Sequence, residues 1–240
     1  GNLTSDGSKT YTWNARNELS GISGGVSASF AYGAVGRRRS RTVGSTTTQF
    51  LYDGLNPVQE LASGTPTANL LTGLGIDEYF TRTDSASAQH LLTDALGSTI
   101  ALADGSGSVQ TDYTYEPFGS VTTSGSASGN AFGYTGREND GTGLSFYRSR
   151  YYDPRLQRFV TEDPIAFWGA DLAAITGPNL YSYARQNPLS LVDPDGRIAR
   201  APFVAPAVVA LVAADHRRRL DHGPVAGRFI DERGRGARPP

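Results

Sequence analysis

The sequence predicts an all-β protein built from short strands joined by turns. One observation behind this is composition: 29 Gly and 13 Pro stand beside 12 Tyr and 10 Phe, a balance that suits many brief extended segments rather than long helices. Another is self-similarity, since aromatic-rich segments recur at about twenty residues. The last is that each of these segments alternates and then runs into turn chemistry.

Tyr11-Thr12-Trp13-Asn14, Phe30-Ala31-Tyr32-Gly33 and Phe50-Leu51-Tyr52-Asp53-Gly54 are three copies of one pattern. Each is a strand ending at a Gly or Asn turn, as at Tyr52-Asp53-Gly54 and between Gly33 and Gly36. A hairpin of this size cannot cover its own aromatic face, so the copies are expected to stack into a curled sheet that grows by repetition. From 61 to 132 the period loosens, with strands expected at Gly73 to Phe80, Gln89 to Leu92, Thr99 to Ala103 and Val109 to Tyr115. Asp94 to Ser98 and Asp104-Gly105 supply turns between them. The small polar run from Thr122 to Gly129 reads as a surface loop. Short helical pieces are expected only at Asp171 to Ile175 and Pro206 to Leu220, where Ala and Leu dominate.

Residues 133 to 197 are dense in Tyr, Arg and Asp-Pro pairs, and no Tyr follows Arg197. The chain is therefore divided into repeats (1–132), a Tyr/Arg-rich segment (133–197) and a variable tail (198–240). With 240 residues, a chain can bury roughly 70% of its unfolded surface, so core formation is not limiting. The apolar run Ala201 to Ala214 is too short, and too interrupted by Pro202 and Pro206, to span a bilayer.

Charge and composition exclude several functions. A formal net charge of −1 gives residues 1–197 no reason to bind nucleic acid. All basic side chains but Lys9 are arginine. The absence of Cys removes disulfides, thiolate catalysis and Cys-based metal sites. His90, His216 and His222 fall in no triad or zinc spacing, so neither metal nor cofactor is expected. Asp215-His216 and Asp221-His222 flank Arg217-Arg218-Arg219, a solvated basic helix end or a piece of a nucleic-acid-acting cargo. Without Met, and starting at Gly1-Asn2-Leu3 partway into a strand-like pattern, the chain reads as a fragment or processed piece, any export signal of which would lie upstream.

Taken singly, an Asp-Pro pair is a turn start. Here three occur in order, inside Gly143 to Pro154, Arg158 to Pro164 and Asn179 to Arg197. The blocks Gly143-Leu144-Ser145-Phe146-Tyr147-Arg148-Ser149-Arg150-Tyr151-Tyr152-Asp153-Pro154, Arg158-Phe159 with Asp163-Pro164, Asn179-Leu180-Tyr181-Ser182-Tyr183, and Pro188 with Asp193-Pro194-Asp195-Gly196 resemble the Rhs repeat-associated core domain. The tyrosine repeats upstream resemble YD repeats more loosely.

That resemblance implies the end segment of a shell in which repeats enclose a toxic C-terminal segment. The core domain plugs the shell and cuts the chain just after the last block. It implies a single-turnover aspartic-type endopeptidase, with Asp163 and Asp193 as the carboxylates, Arg150 beside them, and the cut at or next to the Arg197–Ile198 bond. Where the family usually carries leucine after the last glycine, this chain carries Arg197. Asp153 is assigned to a turn. The implied partners are the upstream shell, the chain's own C-terminal segment, a secretion system and an immunity protein, and the implied location is outside the cell.

The chemistry of the residues agrees in kind. Without Ser, Cys or metal, peptide hydrolysis needs one carboxylate to take a proton from water and a second to protonate the product side. Sequence leaves open which aspartate does which. Two other readings stand beside this one: a non-catalytic structural or adhesive YD-repeat fragment that binds carbohydrate or a cell surface, and a small effector whose activity lies in 198–240.

A circular dichroism spectrum dominated by strand is expected. In limited proteolysis the tail, poorly ordered or separately packed, is expected to be lost before the repeats.

Overall fold

In a strand with one wet face, every second side chain must be apolar, and an extra residue flips the pattern unless the backbone bulges. Leu19 and Ile22 are three apart yet both buried, because the pairing of Trp13 with Leu19 and Thr12 with Gly21 leaves Ser20 as a bulge. The same extra residue recurs as Arg39, Val58 and Phe80, each one or two positions into the returning strand of its hairpin. One hairpin with one bulge is thus the physical content of the aromatic repeat. Each bulge also bends its strand and increases the twist.

The computed structural model describes residues 1–164 and 179–202. Twelve strands form one antiparallel sheet in strictly sequential order. They are β1 (Lys9–Trp13), β2 (Leu19–Gly24), β3 (Ala28–Tyr32), β4 (Arg38–Val43), β5 (Thr46–Asp53), β6 (Asn56–Ala62), β7 (Thr65–Thr72), β8 (Tyr79–Asp84), β9 (Ala88–Thr93), β10 (Thr99–Ala103), β11 (Val109–Tyr115) and β12 (Val121–Gly125). The sheet is open, with β1 and β12 at its ends. A second sheet contains β13 (Glu138–Asn139), β14 (Ser145–Tyr147), β15 (Arg150–Asp153) and β16 (Arg158–Phe159). Among the described residues no helix is long and apolar enough to cross a membrane.

The two sheets share their cores. Tyr11, Leu19, Ile22 and Phe30 of the large sheet pack with Leu144, Phe146, Tyr151 and Val160. Leu70, Tyr79, Leu91 and Leu102 pack around Phe132, whose ring stacks on Tyr79 with centroids 4.1 Å apart. A third cluster is wholly aromatic at its centre: Tyr134, Tyr147, Tyr152, Phe159 and Tyr183.

The all-β expectation agrees with this architecture, and β10 and β11 coincide with the expected strands. Two local expectations are corrected. The run from Thr122 is not a loop throughout: Val121–Gly125 pairs with β11 as an edge strand, and because every side chain on it is exposed there was no apolar alternation to read. Residues 73–78 are not a strand. Asn56 holds them as a loop through Nδ2 to the Gly75 carbonyl and Oδ1 from the Asp77 amide, while Gly75 N donates to Glu78 Oε2, so the strand starts at Tyr79. The first residues of the expected tail remain attached, Arg200 pairing with Val192, while the helices expected at 171–175 and 206–220 and the tail after residue 202 lie outside the described residues.

A buried charge cluster ties the sheets together. Arg38 on β4 is fully buried and pairs with Glu138 and Asp140, while Arg41 reaches Asp140 at 2.9 Å. The Arg38 guanidinium also lies 4.2 Å from the Phe146 ring centroid and donates to the Tyr151 hydroxyl at 3.2 Å. Removing one partner of such a cluster strands the other charges in a low dielectric. Arg38→Ala is expected to lower unfolding free energy by about 3–5 kcal/mol in urea titration. Arg16→Ala, which breaks a pair with Glu18 at the sheet surface whose arginine is half exposed, is expected to cost about 1 kcal/mol or less.

Candidate active site

Arg150 opens β15, and the hairpin that pairs it with Tyr147 turns its guanidinium under the aromatic cluster. Its Cζ lies 3.7 Å from the centroid of the Phe159 ring, which closes one face of the charge to water. Each of its three nitrogens finds oxygen. Nη2 reaches Asp163 Oδ2 at 2.8 Å and Asp193 Oδ2 at 3.2 Å, Nη1 donates to the Leu180 carbonyl at 3.0 Å, and Nε donates to the Gly196 carbonyl at 2.5 Å.

Each sequence block contributes one wall. The Asn179-Leu180-Tyr181 segment runs beside β16, Phe159 N donating to the Tyr181 carbonyl, and the Leu180 carbonyl also accepts from Asp163 N at 3.1 Å. Asp163 is thereby fixed by its own backbone as well as by Arg150. The last block folds over itself. Asp193 Oδ1 accepts from the amides of Arg197 at 2.8 Å and Ile198 at 3.1 Å, the side-chain capping that lets aspartate start a turn. Gly196 takes φ +70°, and a Cβ on it would stand 2.4 Å from the Tyr147 carbonyl oxygen, so only glycine fits.

The structure therefore brings Asp163, Asp193 and Arg150 together on one guanidinium nitrogen, with Arg197 and the Ile198 amide at the same carboxylate. Asp163 and Asp193 are each about 2% exposed. Asp153 stands apart: its carboxylate caps the turn after β15 through the Arg155 amide and pairs with the Arg155 guanidinium. Burial pushes the Asp193 carboxyl up to about 6; Arg150 and the Arg197 amide pull against this and the Asp195 carboxyl adds to it. Burial also pulls Arg150 below its ordinary value, yet an arginine stays charged throughout the working range of proteins. One positive charge thus serves two buried carboxyls, the arrangement that favours keeping one proton on the pair.

A cavity of about 10 Å³, room for one water molecule, is lined by Arg150, Asp163, Asp193 and Arg197 together with the Leu180 segment. Ser149 and Asp195 joined the site without a sequence signal. The single hydroxyl hydrogen of Ser149 is shared between the carbonyls of Asp195 at 2.7 Å and Gly196 at 2.8 Å, so the Gly196 carbonyl takes a part of it beside the full donor from Arg150 Nε.

An open antiparallel sheet of bulged repeat hairpins, packed on a small sheet whose Arg150 holds a buried carboxylate pair, defines a YD-repeat shell segment. Residues 1–189 match the Teneurin YD-shell family, and the chain belongs to it. The tRNA3(Ser)-specific nuclease WapA of Bacillus spizizenii is 32% identical over 219 residues, covering 85% of this chain and 9% of that protein. Toxin subunit YenC1 of Yersinia entomophaga is 37% identical over 106 residues, 42% of this chain and 10% of that one. The crystal structure of TcdB2-TccC3-Cdc42 superposes with a TM-score of 0.65 at 23% identity, covering 82% of this chain and 10% of the other, and shows the shared fold. The chain thus spans about a tenth of each of these relatives.

Because Gly196 combines a left-handed backbone with contact to Tyr147, Gly196→Ala in an Asp163→Asn background is expected to destabilise by roughly 1–3 kcal/mol. Chemical denaturation followed by tyrosine fluorescence reads the effect.

Proposed function

We propose that this chain is the shell and plug segment of an exported bacterial toxin. In this reading it encloses its own C-terminal segment and frees it by cutting itself beside Arg197. The observation that carries the reading is the buried pair Asp163 and Asp193 on Arg150, with the amide nitrogens of Arg197 and Ile198 bonded to Asp193. Family membership supports the shell role, and the toxins among its relatives support the cargo.

The geometry favours a division of labour. Asp193, at the nitrogen side of both bonds that flank Arg197, is the general acid; its raised pKa keeps a share of it protonated near neutrality. Asp163 is the general base toward a water in the small cavity. Water adds to the carbonyl carbon, its proton passes to Asp163, and Asp193 delivers a proton to the departing nitrogen as the C–N bond breaks. Arg150 neutralises the carboxylates and, with Ser149, polarises the Gly196 carbonyl. Tethering the bond beside its catalyst replaces much of the entropic cost of binding a free peptide.

Intact mass after purification at neutral pH should show a chain cut on one side of Arg197, the fragment masses telling which. Asp163→Asn and Asp193→Asn should each stay whole with the native circular dichroism spectrum. Arg150→Ala should cut slowly or not at all, and Asp153→Asn should still cut. A whole wild-type chain, or normal cutting by both Asn variants, rules the protease out in favour of a purely structural shell. Because the acid must be protonated and its pKa lies at about 6, the rate should fall as pH rises above that value, approaching tenfold per pH unit. A rate that instead climbs through this range reverses the roles of the two aspartates.

A further inference from the structure

Arg148 belongs to the same Arg-Ser-Arg run as Arg150 but serves a different end. It sits in the two-residue turn between β14 and β15 with φ of 57°, a left-handed conformation that residues other than glycine rarely adopt. From there Arg148, Ser149 and Arg150 donate in turn to three successive carbonyls of the last block. Arg148 Nη1 bonds Pro194 at 2.5 Å, Ser149 Oγ bonds Asp195 at 2.7 Å, and Arg150 Nε bonds Gly196 at 2.5 Å.

The other face of the Arg148 guanidinium is held by the large sheet. Nη2 reaches Asp77 Oδ1 at 2.7 Å, Nη1 reaches Asp77 Oδ2 at 3.0 Å, and Nη2 donates to the Leu55 carbonyl at 3.1 Å and to Asn56 Oδ1 at 3.3 Å. Those oxygens belong to the turn between β5 and β6, to Asn56 at the start of β6, and to the loop between β7 and β8. Asp77 already has a buried partner in Arg137. Its charge therefore does not require Arg148; what Arg148 adds is the bond to Pro194, the residue next to Asp193.

We propose that Arg148 is a positioning residue for the self-cleavage, transmitting the placement of the β5–β6 turn and the β7–β8 loop to the Pro194 carbonyl so that the cut waits until those parts of the large sheet have docked. This rests on the self-cleavage reading. Arg148 contacts neither carboxyl of the pair in the bonds described, so its loss should lower the rate without changing which groups titrate. A fork that spans Asp77 and Pro194 needs several planar donors, and a single ammonium does not supply them.

The test follows loss of the full-length chain after pulse-labelled cell-free synthesis, from mildly acid to mildly alkaline pH. It compares wild type with Arg148→Ala, Arg148→Lys, Asp77→Asn and Asp163→Asn. Arg148→Ala should cut roughly a hundredfold more slowly, as expected for a small misplacement of reacting groups. The pH at half-maximal rate should match wild type, and millimolar guanidinium ion should restore part of the rate where equal sodium chloride does not. Arg148→Lys, with a native near-ultraviolet circular dichroism spectrum, should remain slow, and Asp77→Asn should also slow the cut. Wild-type rates in Arg148→Ala or Arg148→Lys, or an Arg148→Ala defect untouched by guanidinium, overturn the positioning role alone if wild type cuts and Asp163→Asn does not. A wild-type chain that stays whole overturns the self-cleavage reading and this inference with it.

Discussion

A guanidinium group withdrawn from water is tolerable only while carboxylates and carbonyls surround it. In this chain Arg38, Arg137, Arg148 and Arg150 all take their partners from elements distant in sequence. Arg38 reaches from β4 to the second sheet. Arg137, just before β13, and Arg148, in the β14–β15 turn, reach to Asp77, and Arg150 gathers the last two Asp-Pro blocks. Their contribution is specific placement more than net stability, since apolar packing of equal volume often serves stability as well. A shift of either sheet against the other separates charges that cannot be rehydrated in place. That all-or-none demand fixes the second sheet, and with it the site around Arg150, against a large sheet it otherwise meets through adaptable aromatic contacts.

The fold was readable where side chains alternate. Tyr11, Phe30 and Phe50 announced their strands because their rings face the core at the expected spacing. The β12 strand was not readable, because an edge strand with both faces wet carries no apolar alternation and is held by backbone pairing alone. The segment 73–78 misled for the opposite reason: its apolar residues suggested a strand, while the bonds that fold it into a loop come from Asn56, far back in the chain.

The site was legible only as a set of ordered blocks. Spacing could not say that Asp163 and Asp193 share a guanidinium nitrogen, since the contact depends on how the Leu180 segment lies along β16. Nor could it separate Arg148 from Arg150. They are two residues apart and would face the same way on a strand, but the turn at Arg148 breaks the alternation and sends them to different partners. Ser149 and Asp195 carry no pattern of their own that marks a site. Their roles come from the folding of one turn onto another, which no local pattern encodes.

The strictly sequential strand order has a consequence for how the molecule comes into being. Each strand of the large sheet pairs only with the ones before and after it, so the sheet can grow vectorially as the ribosome releases chain, the newest edge always being the template for the next hairpin. Contacts of large sequence separation, such as Arg38 with Glu138 and Asp77 with Arg148, form only after residues 138 to 148 emerge. Birth order thereby imposes a chronology: the wall is laid strand by strand, and the segment that bears the carboxylate pair is made after it, onto a surface already in place.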